Sequence, residues 1–169
     1  MTFFVSLITT TSRVTARLVA LLCVWIIFAM LGLLVTQVAM RYFLGAPPSW
    51  TEELAIILFA WLVLLYATVG LREGFHVAVE IIPARFVRVS QWLNRLVSVL
   101  AIVFGWVTLT AGLAYVDRTS GQKTAALQMP IEALYLCVPV VGALFMLHGV
   151  SRLIAPASHD PSSPTEALK

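Results

Sequence analysis

Two short polar motifs border one long apolar run, and they hold most of the side chains that could do chemistry in this chain. The motif WTEE (Trp50–Glu53) precedes the run Leu54–Leu71, and the motif REGFHVAVE (Arg72–Glu80) follows it. Carboxylates, an arginine and a histidine could form ion pairs with a partner, transfer protons or ligate a metal. As a helix, however, the run between the motifs covers about 27 Å, close to the ~30 Å hydrocarbon thickness of a bilayer. The motifs therefore indicate the two ends of a membrane span.

The first motif has a structural explanation beside a chemical one. Ser49 and Glu52 follow two prolines and fit a capping box, in which each side chain bonds the other residue's backbone amide at a helix start. The helix dipole also favours carboxylates there. Glu53 is not needed for the capping box, so it could instead pair with a basic residue of a partner subunit. Trp50 is predicted to anchor the helix at the membrane interface.

The histidines and cysteines do not combine into a convincing cofactor site. His148 falls inside the last apolar run, where a helix-packing hydrogen bond is the favoured interpretation, whereas His76 lies beyond the second. A bis-histidine haem would need both, and this pair is the only support for a membrane anchor of a redox enzyme. Cys23 and Cys137 lie within apolar runs, where a thiol behaves as a small hydrophobe. We predict no catalytic residue, no metal and no cofactor.

The composition requires a membrane. Of 169 residues, 60% are hydrophobic and 11% are charged, and the mean hydropathy is +0.95. So small a globule could not bury that much apolar surface, so lipid must cover the rest. The net charge of +3 comes from dispersed basic residues, which excludes a nucleic-acid-binding stripe.

The pattern predicts an all-α integral membrane domain over residues 1–154, with four transmembrane helices. The expected spans are residues 18–40, 54–71, 96–116 and 133–151. Between the second and third, Phe75–Gln91 has the period of an amphipathic helix lying in the interface, which is the preferred interpretation, although the alternation over His76–Glu80 would also suit a short extended segment. Pro139 and Gly142 are expected to kink the fourth span. The Pro/Ser-rich residues 155–169 are expected to be a disordered cytoplasmic tail.

Small side chains recur at helical spacing in two of the spans. The third span carries Ala101, Gly105, Thr108 and Gly112 at intervals of four, three and four residues. Such stripes allow helix backbones to approach closely. A second stripe, in the first span, consists of Ala29, Gly32, Thr36 and Ala39. Both are predicted to be helix-packing surfaces.

Basic residues at the ends of the spans predict the orientation. Four spans place both termini on one side, and the basic residues favour the cytoplasm for that side. Those assigned to the cytoplasm are Arg13, Arg17, Arg72, Arg85, Arg88, Arg95 and Arg152, against Arg41, Arg118 and Lys123 outside. The WTEE motif would then face outward.

No charged residue lies at mid-depth in any predicted span. Intramembrane ionisable residues are typical of ion-coupled sites and proton relays, so this chain is not expected to carry a coupling ion by itself. A homodimeric four-helix exporter of small solutes would need such a carboxylate. A rigid, non-enzymatic unit is therefore the favoured interpretation.

In combination, these motifs resemble the small membrane subunit (DctQ-type) of tripartite ATP-independent periplasmic (TRAP) transporters. The similarity lies in the WTEE entrance to the second span, with Phe59 and Trp61 inside it, and in the REGFHVAVE exit. It extends to residues around the fourth span: Leu127, Pro130, Tyr135, Pro139 and Gly142.

The resemblance implies a subunit of the bacterial inner membrane that takes part in uptake of an organic acid, commonly a carboxylate. A periplasmic substrate-binding protein would deliver the solute, and a large multi-span subunit would move it using a sodium gradient. The small subunit would brace that partner. Candidate partner contacts or interfacial anchors are Trp50, Glu52, Glu53, Arg72, His76, Glu80 and Trp92.

Overall fold

A computed structural model of the chain describes residues 2–45, 48–73 and 87–154, and every regular element in these ranges is a helix. The helices are α1 (Thr2–Leu44), α2 (Ser49–Glu73), α3 (Val87–Arg118), α4 (Glu132–Tyr135) and α5 (Cys137–Ile154). Four spans are long and apolar enough to cross a membrane, the fourth formed by α4 and α5 together. The predicted four-span helical fold is confirmed.

Helix α1 is much longer than the predicted first span. It begins at Thr2, and the stretch of it that could cross a membrane, Val5–Phe43, measures 39 residues. At 1.5 Å per residue this is about 58 Å, nearly twice the hydrocarbon thickness. The sequence pattern located the charge-free part of α1 but not the helix before Arg17. That part continues because Ser12 and Ala16 are buried against the rest of the bundle.

Helix α2 begins at Ser49, as the two preceding prolines predict, but the predicted capping box is wrong. The first turn closes through Thr51, whose amide and hydroxyl both donate to the carbonyl oxygen of Pro48, at 3.2 and 2.7 Å. Within the described part of the chain, no reciprocal bond joins Ser49 and Glu52. The Glu52 carboxylate instead accepts a hydrogen bond from Gln37 of α1.

Helix α3 begins earlier than the predicted third span, at Val87. Residues 87–91 are therefore helical and continuous with the third candidate span, Trp92–Arg118, and the interfacial position expected for them stays a prediction. The rest of the predicted interfacial segment, up to residue 86, lies outside the described residues, as does the predicted tail 155–169.

The fourth span is interrupted at Leu136, between α4 and α5. Proline has no amide hydrogen, so Pro139 cannot bond the carbonyl of Tyr135 one turn earlier. This break lies near the start of the span, whereas the kink expected at Pro139 and Gly142 stays a prediction, since both residues lie within the continuous helix α5.

Helices α3 and α5 form the most extensive contact of the bundle, followed by α1 with α2. A cluster of buried side chains joins α1, α2 and α5: Val19, Cys23, Ile26, Leu65, Val69 and Val141. Large apolar side chains such as Trp25, Phe28 and Trp106 remain exposed. These outer faces require lipid or another membrane protein to cover them.

The two small-residue stripes have different surroundings. On α3, Ala101, Gly105 and Gly112 are buried and Thr108 is half-buried. A Cβ atom built on Gly105 would lie 2.7 Å from the carbonyl oxygen of Gly142 on α5, so the backbones of α3 and α5 are in close contact there.

On α1 most of the stripe is left open by the described residues, and only Ala39 is half-buried. Nothing lies within 4 Å of a Cβ built on Gly32, and Ala29 and Thr36 are exposed. Helix α1 packs instead through the face that carries Val19, Cys23 and Ile26.

Candidate functional site at the motif end of the bundle

One end of the bundle, here called the motif end, combines the start of α2 with the connection 119–131 between α3 and α4. Trp50, Glu52 and Glu53 lie on the first turns of α2, with the Trp50 side chain 37% exposed and that of Glu52 exposed. Glu52 Oε1 accepts a hydrogen bond of 3.3 Å from Gln37 Nε2. This bond links α1 to α2 at the surface.

Glu53 contacts a distant part of the chain. Its Oε2 accepts hydrogen bonds from the backbone amides of Ala126, at 2.8 Å, and Leu127, at 3.1 Å. The Thr124 hydroxyl faces the same carboxylate. Two successive amides directed at one oxygen form an anion-binding turn, and the anion here is a side chain of the same protein.

The connection that supplies these amides has a fixed shape of its own. Backbone bonds run from Thr124 N to Met129 O, at 2.9 Å, and from Ile131 N to Gln122 O, at 3.0 Å. Glu132 Oε1 accepts a bond from Gly121 N at 3.1 Å. Two carboxylates from two different helices therefore hold one short connection.

The opposite end, here called the arginine end, is held by polar side chains of α5. Arg152 Nη1 donates to the carbonyl oxygen of Leu71 in the last turn of α2, a carbonyl that a helix end leaves without an intrahelical partner. One turn earlier, His148 is completely buried, and its Nδ1 lies 2.8 Å from Ser12 Oγ of α1. His148 is thus in a helix-packing hydrogen bond, as the sequence favoured.

The structure separates the predicted site residues into two groups. Arg72 lies at the arginine end, about 30 Å along α2 from Glu52. Trp92, which is 65% exposed, lies near the start of α3 at that same end. His76 and Glu80 lie outside the described residues. Contacts of these residues with a partner subunit stay predictions.

The described residues offer no obvious place for a metal. Within residues 2–45, 48–73 and 87–154, no three histidine, cysteine or acidic side chains are grouped closely enough to hold an ion. The polar groups at both ends instead bond backbone or side chains of neighbouring helices.

Several residues have structural roles that the sequence indicates weakly or not at all. Ser12 and Trp61 carry polar groups on otherwise apolar helix faces, and only that mismatch could have suggested a partner. The amides of Ala126 and Leu127 could not be found at all, because any residue but proline has one.

The indole of Trp61 links α2 to the start of the fourth span. Its Nε1 donates a 3.0 Å bond to the carbonyl oxygen of Ala133. We expect Trp61→Phe to lower the free energy of unfolding by about 1 kcal/mol, because the carbonyl loses its donor. Thermal melting in detergent, followed by circular dichroism, measures this.

Trp106→Phe is the matched control, because Trp106 is exposed and its indole has no hydrogen-bond partner among the described residues. Equal melting temperatures for the two variants would contradict a role for the Trp61 bond.

The four apolar helical spans identify a multi-pass membrane protein. The interior polar groups described above form contacts between its own helices. Residues 30–159 match the model of the family described as tripartite ATP-independent periplasmic transporters, DctQ component. The chain belongs to this family and is a small permease subunit of TRAP type, as the sequence motifs suggested.

Named relatives agree with this assignment. The chain is 28% identical over 98 residues to the C4-dicarboxylate TRAP transporter small permease protein DctQ of Rhodobacter capsulatus, covering 56% of this chain and 43% of that protein. It is 25% identical over 122 residues to the sialic acid TRAP transporter small permease protein SiaQ of Vibrio cholerae, covering 70% and 69%.

A longer relative is the isethionate TRAP transporter permease protein DctMQ of Oleidesulfovibrio alaskensis. Here the identity is 31% over 100 residues, which is 57% of this chain and 16% of that protein. The match to the sialic acid TRAP transporter permease protein SiaT of Haemophilus influenzae likewise spans only 19% of its length. This chain thus corresponds to a minor part of such permeases.

Proposed function

We propose that this chain is the static subunit of a TRAP transporter, which braces a large transport subunit in the bacterial inner membrane. The main support is the use of its polar side chains: those of Ser12, His148, Trp61 and Glu53 bond within the chain. No acidic or basic residue occupies the middle of any of the four spans. Such a bundle has no evident means of binding a solute or a coupling ion.

Two further observations support a large membrane partner. The outer faces of the bundle expose many large apolar side chains, including Trp25 and Phe28. The relative DctMQ is a permease about six times longer than the region aligned with this chain. A separate large subunit would supply the remaining parts of such a permease and cover one outer face of this bundle.

We further propose that both termini face the cytoplasm and the motif end faces the periplasm. The distribution of basic residues supports this orientation. The motif end would then be on the side from which a periplasmic substrate-binding protein approaches, whereas the arginine end would lie in the cytoplasmic leaflet.

The proposed solute is an organic acid, most simply a carboxylate, taken up with a sodium gradient. The solutes in the names of the relatives, C4-dicarboxylate, sialic acid and isethionate, are all organic anions. Because no Arg or Lys lies at mid-depth in any of the four spans, recognition of that anion would belong to the partner subunits.

Reconstitution into liposomes tests the proposal. Vesicles that contain this chain alone should accumulate no solute under any imposed sodium gradient. Vesicles that contain both membrane subunits should accumulate it when the binding protein and sodium are supplied. The large subunit alone is the control, and its uptake should be at least tenfold lower, since it lacks its brace.

Accumulation by vesicles holding this chain alone would overturn the proposal. Full uptake by the large subunit alone would contradict the bracing role. Uptake by the complete system without sodium would contradict the proposed coupling.

A further inference from the structure

The carboxylate of Glu53 is occupied within its own chain. Oε2 accepts the amides of Ala126 and Leu127, and Oε1 is buried, with no hydrogen-bond partner among the described residues. A basic side chain from another subunit could not reach Oε1 unless the connection moved. Glu52, one residue earlier, is exposed, and its carboxylate accepts a hydrogen bond from Gln37. The two adjacent carboxylates of the motif therefore have different surroundings.

The amides that Glu53 binds lie in a turn of the connection, next to a residue with an unusual backbone conformation. Gln128, which follows them, has a left-handed backbone with φ of 53°, a conformation that costs free energy in a residue other than glycine. The Met129 amide donates to Thr124 Oγ1 at 3.1 Å, which closes the turn on its other side. A turn of this kind persists only where surrounding contacts hold it.

We propose that Glu53 is a positioning residue that fastens the connection 119–131 to α2. This contact joins helix α2 to the hairpin formed by α3 and α5, so the three helices form one unit at the motif end. Charge-assisted hydrogen bonds to backbone amides are suited to this task because they are stronger than neutral ones and independent of the sequence of the turn. The hypothesis that Glu53 binds a partner's basic residue is correspondingly disfavoured.

The fastened connection has a consequence for transport that rests on the proposed function. If the motif end faces the periplasm, the connection presents Lys123 and Gln128, both exposed, to the soluble binding protein. A fixed loop loses less conformational entropy when a partner docks than a loose one does. Glu53 would therefore affect how tightly the binding protein docks, and not how fast the large subunit moves solute.

Limited proteolysis of the purified chain in detergent tests the first part without any partner. Lys123 is a trypsin site within the connection, and cleavage requires the chain around it to open. We expect Glu53→Ala to speed cleavage after Lys123 about tenfold. Glu53→Gln keeps an acceptor oxygen without the charge and should give an intermediate rate. Glu52→Ala is the matched control and should be cleaved at the wild-type rate.

Equal cleavage rates for Glu53→Ala and wild type would overturn the proposal, as would equal acceleration in the Glu52 and Glu53 variants. If Glu53→Ala does not yield monodisperse protein, the cleavage rates of Glu53→Gln and Glu52→Gln are compared instead. Equal rates for these two variants would overturn the proposal. Because no partner is present, this result is independent of the proposed function.

Uptake by reconstituted complexes tests the second part. With Glu53→Ala, the concentration of binding protein that gives half-maximal uptake should rise at least threefold, while the maximal rate stays within about twofold of wild type. Faster cleavage combined with unchanged half-saturation would retain the fastening role and overturn the docking role. A fall in the maximal rate alone would also contradict docking.

Discussion

Gly142→Ala should strongly destabilise the folded chain. A Cβ atom at this position would lie 2.5 Å from the backbone nitrogen of Leu109 and 2.8 Å from the carbonyl oxygen of Gly105. Backbone atoms cannot rotate away as the end of a side chain can, so α3 and α5 would have to separate. Overpacking of this kind costs about 1–3 kcal/mol, and more where backbones must shift.

The melting temperature of the purified chain measures this loss. For a domain of this size, about 3 kcal/mol corresponds to a fall of roughly 6–12 °C. Gly142→Leu should go further and yield no monodisperse protein, because the larger side chain excludes the helix contact altogether.

Gly32→Ala provides the matched control. It adds the same methyl group to a glycine in a membrane-spanning helix, but nothing lies within 4 Å of the added atom. Alanine is also the better helix former, so the variant should melt at or slightly above the wild-type temperature. If Gly142→Ala and Gly32→Ala melt together, the close α3–α5 contact is wrong.

Ser12→Ala should have the second largest effect, because it leaves a buried imidazole without its partner. His148 is completely buried and Ser12 Oγ is its hydrogen-bond partner at 2.8 Å. Loss of one partner of a buried hydrogen bond costs about 1–3 kcal/mol, since the other group stays desolvated and unpaired. The melting temperature should fall accordingly, by roughly 2–12 °C.

Two comparisons separate this explanation from a general effect of serine removal. Ser98 is also buried, but its hydroxyl bonds the carbonyl oxygen of Asn94 in its own helix. Ser98→Ala therefore removes a local bond and leaves no side chain unpaired, so it should cost less than Ser12→Ala. The double variant Ser12→Ala/His148→Leu replaces both polar groups and should be more stable than Ser12→Ala alone. A double variant less stable than Ser12→Ala would contradict the pairing.

The motif residues show how far a local pattern can be interpreted. The position of WTEE at a helix start followed from the prolines before it and the apolar run after it, and α2 does begin at Ser49. The roles within the motif did not follow. Glu52 was predicted to cap its own helix but bonds Gln37, and Glu53, which was predicted to be available to a partner subunit, binds amides more than 70 residues away.

The small-residue stripes also show that spacing predicts a packing surface but not the helix that packs against it. Those of α1 and α3 have nearly the same spacing, so the sequence predicts both as packing surfaces. Only the fold brings Gly105 of α3 against Gly142 of α5 while leaving Gly32 of α1 open. Spacing places residues on one face of a helix, but it does not say which helix lies opposite that face.

The sequence alone predicted four helices long and apolar enough to cross a membrane, since transfer into lipid depends on the summed hydrophobicity of about twenty consecutive residues and on backbone groups that must bond within one segment. The tertiary structure alone decided which polar groups meet, such as Ser12 with His148 and Glu53 with the turn at Ala126. A hydrogen bond requires two atoms within about 3 Å, and helices far apart in sequence bring such atoms together only when they pack.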